Sequence, residues 1–249
     1  MEDSSRTTFN VQHSMPLRAI FFDAAGTLFE PVKPVGETYC ALAKAYGKEV
    51  SQSEIRSRFR SCFASSSPLA FPGAETEQIK TLERHWWKDL VLRIFEPYGR
   101  FPAFDDYFDE LFLYFSKPEA WTLYRETTET LEALKSRSLI LTVVSNFDSR
   151  LLGILSGLGI APYFDSVVIS SRTGYAKPAQ EIFQRALQFH GLDPAQALHV
   201  GDTPDSDIAG AVRAGLKAIL VDRSGEHGGK DLVRVESLTG ILGLLERGT

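Results

Sequence analysis

Cysteine is scarce: Cys40 and Cys62 are the only two in 249 residues, and neither sits with histidines in a zinc-like spacing. That excludes a disulfide framework and a Cys/His metal centre, and the pair reads as buried thiols in a helical stretch. An excess of positive charge is missing too, since 27 Lys and Arg face 32 Asp and Glu for a net charge of -5. With no basic run interleaved with aromatics, neither nucleic acid nor an anionic membrane surface is an expected partner. Residues 1–14 are polar and lack a hydrophobic signal core. They read as a disordered tail, and the protein as cytoplasmic. Internal repeats and low-complexity tracts are absent.

What remains is an ordinary globular composition, 43% hydrophobic and 24% charged, long enough for one large core and a second smaller one. Short apolar runs at Leu139–Val144, Ser166–Ile169, Ala197–Val200 and Ala218–Val221 alternate with helical patterns, from about Ser149, after Pro178 and from about Ser206. Such alternation predicts a parallel sheet covered on both faces. Arg18–Phe22 fits the same sheet but lies far upstream. From Val35 through Ala120 apolar residues recur at helical spacing, with aromatics dense over Leu82–Phe95 and Phe104–Phe115. Pro31 and Pro34 precede this insert and Pro118 follows it, as stiff linkers. The expected division is 15–34 plus 119–249 for the sheet domain and 35–118 for the helical insert.

Four segments fall at predicted strand ends, where open parallel sheets bind ligands. They are Phe22-Asp23-Ala24-Ala25-Gly26-Thr27, Val144-Ser145-Asn146, Ala176-Lys177-Pro178 and Val200-Gly201-Asp202 running on to Asp207. Any one of them alone is a turn or a helix start. As an ordered set they resemble the haloacid dehalogenase-like hydrolase superfamily, over about residues 17 to 225. The resemblance implies an α/β fold, a Rossmann-like parallel sheet core domain with an inserted α-helical cap domain. It implies Asp23 as a nucleophile that forms an aspartyl phosphate, with Gly26 permitting a tight turn next to the ligand and the Thr27 hydroxyl holding either the turn or the nucleophile. Ser145 and the backbone N–H of Asn146 would grip a phosphate oxygen, and the Lys177 ammonium would offset charge. Mg2+ would sit among Asp23, the Ala25 carbonyl and Asp202, with Asp207 on the metal or one layer out. Asp205 reads as a helix-capping acid. The implied ligand is a small phosphorylated metabolite, and the protein is expected as a monomer or homodimer.

One position departs from the pattern. Where the superfamily's phosphatases carry a general acid two residues after the nucleophile, this chain has Ala25. A positioned acid is worth about 10²- to 10⁴-fold in rate, so alkyl phosphates with poor leaving groups should suffer most. Dehalogenases of the superfamily lack that acid too, but they also dispense with the metal, whereas the Gly201-Asp202 signature stands here. Phosphonoacetaldehyde hydrolases share Asp-x-Ala-Gly-Thr but use a cap lysine, and Lys44, Lys48, Lys80 and Lys88 read as exposed helical faces, so carbon–phosphorus bond hydrolysis stands second among the enzyme readings. A branch of the superfamily, the haloacid dehalogenase-like hydrolase domain-containing protein 3 group, is similar in lacking the second Asp. Glu37, Tyr39 and His85 are candidate substitute acids, the Ser65–Gly73 loop a candidate specificity element, and Glu30–Val35 with Ser116–Trp121 a candidate hinge for cap closure. A phosphate-binding protein that has lost turnover is the reading from a different class.

Overall fold

In a computed structural model the described residues are 15–99, 101–225 and 232–247, so the expected 1–14 tail lies outside them. Six parallel strands form the main sheet: β1 (Ala19–Phe22), β4 (Ile140–Ser145), β5 (Ser166–Ile169), β6 (Ala197–Gly201), β7 (Lys217–Val221) and β8 (Arg234–Val235). Their spatial order is β5-β4-β1-β6-β7-β8. β1 is apolar throughout because both of its faces are covered. Ile20 and Phe22 pack with Leu131 and Leu134 of α5 (Thr127–Ser136), Ile154 of α6 (Leu151–Gly157) and Ile241 of α10 (Thr239–Glu246). Ala19 and Phe21 point the other way, onto Ile182 and Phe183 of α8 (Gln180–His190) and Ala211 of α9 (Gly210–Arg213). A further short helix, α7 (Ser170–Thr173), follows β5 directly.

The helical insert consists of α1 (Val35–Ala45), α2 (Gln52–Ala64), α3 (Thr76–Phe95) and α4 (Phe104–Tyr114). It has a core of its own, rich in rings: Tyr39, Phe95, Phe101, Phe104, Tyr107 and Phe108. Cys40 and Cys62 lie on successive helices here, both as free thiols. The linkers are more than proline-stiffened segments. They pair with each other as an antiparallel ribbon of β2 (Phe29–Pro31) and β3 (Trp121–Leu123), in register Phe29 with Leu123 and Pro31 with Trp121. Three-residue strands carry too little alternation to be recognised from sequence.

Register decides where the chemistry emerges. Phe22 lies opposite Val143 on one side and Val200 on the other. Asp23, Ser145 and Asp202 therefore leave neighbouring parallel strands at the same edge, where the chain order reverses around β1. The Asp23 N–H donates to the Val200 carbonyl at 2.9 Å, extending the ladder by one residue.

Candidate active site

Asp23, Asp202 and Asp207 each offer a carboxylate oxygen, and these oxygens lie within 4.8 Å of one another. The ammonium of Lys177 is wedged among them, donating to Asp23 Oδ1 at 2.6 Å and to Asp207 Oδ1 at 2.5 Å. Lys177 is only 5% exposed, so these charges are paired in low dielectric. Asp207 also accepts from His199 Nε2 at 3.1 Å and, through Oδ2, from the Thr203 N–H at 3.0 Å. Both of its oxygens are thus engaged in holding neighbours in place. The bend that delivers Asp207 is a π-helical turn, Pro204–Ala209, where the sequence pattern suggests an ordinary helix from Ser206. A Cβ at Gly201 would stand 2.3 Å from Asp207 Cγ, so glycine there is what admits the carboxylate.

The electrostatics are unbalanced. Burial raises the Asp23 carboxyl above its ordinary value, Asp207 adds to that, and Lys177 opposes it. Burial, joined by the charges of Asp23 and Asp207, pushes Asp202 up to about 7. Asp207 moves down: burial works against ionisation, but Lys177 and His199 outweigh it. For Lys177 burial opposes the charge, and the two carboxylates overcome it and raise the group. One ammonium serves two of the three carboxylates, and Asp202 is the one left without a cation among its described partners.

The first turn explains its own sequence. Gly26 takes φ of 93°, and a Cβ there would stand 2.4 Å from Asp202 Oδ2, so backbone conformation and space both require glycine. Thr27 is buried, and its hydroxyl donates to Asp202 Oδ1 at 3.3 Å rather than to Asp23. Ala25 is half-buried and pairs with Phe29 through its backbone. Ser145 ends β4 and is buried. Asn146 acts through its side chain: Oδ1 accepts the Lys177 N–H and Nδ2 donates to the Lys177 carbonyl, both at 2.7 Å. This clamp fixes the Lys177-Pro178 segment, whose peptide bond is cis.

A family model described as haloacid dehalogenase-like hydrolase matches residues 17–215. The chain belongs to this family. Its relatives include the mouse haloacid dehalogenase-like hydrolase domain-containing protein 3, 37% identical over 211 residues that cover 84% of this chain and 83% of the relative. Among solved structures, a HAD-hydrolase from Bacillus subtilis, YfnB, described as bound to magnesium and showing interdomain movement, superposes with TM-score 0.72 at 16% identity. It covers 93% of this chain and 99% of its own. The L-2-haloacid dehalogenase of Xanthobacter autotrophicus, with chloropropionic acid covalently bound, gives 0.68 at 20% identity over 94% and 99%. At such identities these structures speak for the fold alone, a parallel-sheet haloacid dehalogenase-like architecture.

Two supports of the carboxylate cluster and its first turn escape sequence reading. His199, inside β6, is wholly buried, its pKa is lowered by that burial, and it stacks edge-on against Phe183 at 5.0 Å. A histidine in an otherwise apolar strand next to an acidic motif is the signal that could have found it. Arg223, two residues beyond β7, donates to the Thr27 carbonyl at 3.0 Å and to Glu126 at 2.6 Å, with its guanidinium 3.5 Å from the Tyr124 ring centroid. Nothing local marks it. The candidate substitute acids do not converge: Glu37 pairs with Lys33 at 3.0 Å, His85 is exposed, and Tyr39 is buried with its phenol pushed up by burial. Lys44, Lys48 and Lys88 are held by Glu49, the Tyr98 carbonyl and Asp105, and Lys80 is exposed. Among the described residues no helix is long and apolar enough to cross a membrane.

Proposed function

We propose that the protein is a magnesium-dependent phosphohydrolase that acts on a small phosphorylated metabolite. The observation that carries this reading is the carboxylate cluster of Asp23, Asp202 and Asp207 around the Lys177 ammonium. The donor set fits a hard divalent cation, because hard oxygens are crowded together and Asp202, raised to about 7, lacks the positive partner its burial calls for. Asp23, Asp202 and the Ala25 carbonyl are the groups assigned to hold it. Asp207, saturated by Lys177, His199 and Thr203, is assigned to orient the lysine instead. A bound Mg2+ supplies positive charge against the phosphoryl oxygens.

The chain's own residues then have distinct tasks. The Asp23 carboxylate attacks phosphorus in line, the leaving oxygen departs, and an aspartyl phosphate forms that water hydrolyses. Ser145 and the Asn146 N–H hold a phosphoryl oxygen, and Lys177 neutralises charge on both the nucleophile and the transferred group. With alanine at position 25 no side chain there protonates the leaving oxygen, so acyl and aryl phosphates are the favoured substrates. The helical insert is assigned the role of cap over this edge.

Ala25 also favours a second reading, a phosphate-binding protein without turnover. Phosphate release from acetyl phosphate and an aryl phosphate, with and without magnesium, tests both on the unaltered chain, Asp23→Asn and Ala25→Asp. The hydrolase reading expects magnesium-dependent release that Asp23→Asn abolishes. Turnover that appears only in Ala25→Asp would instead mean an intact phosphate site lacking its acid, in favour of the second reading or of a carbon–phosphorus substrate.

A further inference from the structure

Glu83 lies on α3, in the middle of the helical insert, and is 3% exposed. A buried carboxylate is costly unless its lone pairs are filled. Here a single oxygen, Oε1, accepts from the Ser149 N–H at 2.9 Å, the Ser149 hydroxyl at 2.8 Å and the Ser171 hydroxyl at 2.6 Å. All three donors are neutral, and all three lie outside the insert. Ser149 stands four residues after Ser145, on the loop leaving β4. Ser171 belongs to α7, which leads six residues on to Lys177.

The surroundings repeat the pattern. One turn along α3, on the same face, Trp87 donates to Asp148 Oδ2 at 2.6 Å, and Asp148 is completely buried. Asp148 also receives Arg150 Nε and Nη2 at 2.9 and 2.6 Å, while Arg150 lies 4.0 Å over the Phe112 ring and bonds the Phe112 carbonyl. From the other loop, the Ser170 hydroxyl donates to the Leu69 carbonyl at 2.7 Å. Within the sheet domain the same two loops are already tied twice, by the Asn146 side chain on the Lys177 backbone and by the Ser170 hydroxyl, which also donates to the Phe147 carbonyl at 3.3 Å.

We propose that Glu83 is a positioning residue, a further tie supplied by the insert, which locks the loop bearing Ser145 and Asn146 to the loop leading to Lys177. The functional half of this inference rests on the reading of Ser145 and Lys177 as phosphate-holding groups. Its consequence is that α3 is fastened to the sheet edge by buried hydrogen bonds. Ligand access through the hinge segments Glu30–Val35 and Ser116–Trp121 then has to break them. Glu83 touches no reacting atom; it acts by keeping two distant loops in register.

The test is amide hydrogen exchange of the full chain for the unaltered protein, Glu83→Ala and Glu83→Gln, paired with titration of beryllium fluoride plus Mg2+. Loss of hydrogen bonds to a charged acceptor should raise exchange about tenfold or more in Glu83→Ala. That rise should fall on 145–150 and 170–177 together, with 197–201 and 217–221 unchanged. Fluoride affinity should drop about tenfold in the same variant, and Glu83→Gln, which keeps an acceptor oxygen, should recover most of both effects. Exchange that rises in α3 but not in both loops, or that leaves them as in the unaltered protein, would overturn the tie. Should Glu83→Ala fail to fold, Ser171→Ala removes one donor, and its rise should be confined to 170–177; no rise there overturns the proposal equally. Failure of the unaltered protein to bind the fluoride would sink the phosphohydrolase reading, while the exchange pattern still decides whether Glu83 ties the loops.

Discussion

The sheet and the helical insert are built from different materials. Around β1 the core is mainly aliphatic, with Ile20, Leu131, Leu141, Val143, Ile154, Val200 and Ile219 interleaved on one face and Phe22 and Phe29 among them. The core of the insert is a lattice of rings, in which Phe95 meets Phe101, Phe104 and Tyr107 edge-on at 5.3–6.2 Å between centroids. Branched aliphatics suit a pleated surface and fix strand register, which is what brings Asp23, Ser145 and Asp202 to one edge. Edge-to-face rings instead fix the angles between helices of a small bundle that has little other area to bury. In the proposed reading the sheet therefore supplies the reacting groups, and the insert supplies shape and, through Glu83, a tie between the loops.

This contrast can be broken first at the sheet edge. Gly26→Ala forces a Cβ into Asp202 and strains a turn at φ of 93°, so phosphate release should fall about 10²-fold or more. The melting temperature should shift only a few degrees, because the Asp202 carboxylate that has to give way is only half-buried. Equal losses of activity and stability would mean that edge and core are not separable.

A deletion on the insert side comes next. Phe95→Ala removes a ring at the centre of the lattice and should cost about 3–5 kcal/mol in urea denaturation. All three tryptophans, Trp86, Trp87 and Trp121, lie in the insert or its ribbon, so fluorescence reports that region while circular dichroism reports the whole. Coincident transitions in this variant would show that the two cores unfold as one unit; an earlier fluorescence transition would show that they do not.

A smaller effect separates the two regions by pH. His190 Nε2 is shared by the hydroxyls of Thr142 and Ser166 at 2.9 and 2.8 Å, and burial lowers its pKa, with Asp165 opposing. A lowered histidine pKa means that the unfolded chain takes up its proton first on acidification. The stability it contributes is complete above the unfolded value near 6.5 and is lost as pH falls through the lower folded value. The drop in urea midpoint from pH 7.5 to 5.5 should shrink in His190→Gln, and an unchanged drop would refute the assignment.

The least effect belongs to the surface. Arg137 and Glu246 form a 3.0 Å pair with side chains 36% and 68% exposed, and Arg137→Ala should cost about 0–1 kcal/mol by the same denaturation.

Much of this was legible beforehand. Ser166–Ile169 is a strand at the expected bounds, and the other long strands agree to within a residue or so, because a run buried on both faces leaves an unbroken apolar signature. The four strand-end segments were visible because glycine and acid recur at turns that the chain cannot otherwise make. What escaped is relational. The β2–β3 ribbon depends on two segments far apart in sequence, the Asn146 side chain has a task of its own in clamping Lys177, and Thr27 serves Asp202 rather than Asp23. Glu83 and Arg223 look like any charged residue of a helix or loop, because their partners lie 66 and 196 residues away.

The position of β1 has a consequence for the protein's birth. It is made before the other described strands, yet its two neighbours pair through residues 140–143 and 197–200. During synthesis it must wait for most of the chain to emerge before either edge is covered. The insert, made of contacts between successive helices, has no such delay. The helices can consolidate near the ribosome while the apolar strand carrying Asp23 is still unpaired, and that strand is the segment a nascent-chain chaperone would have most reason to hold.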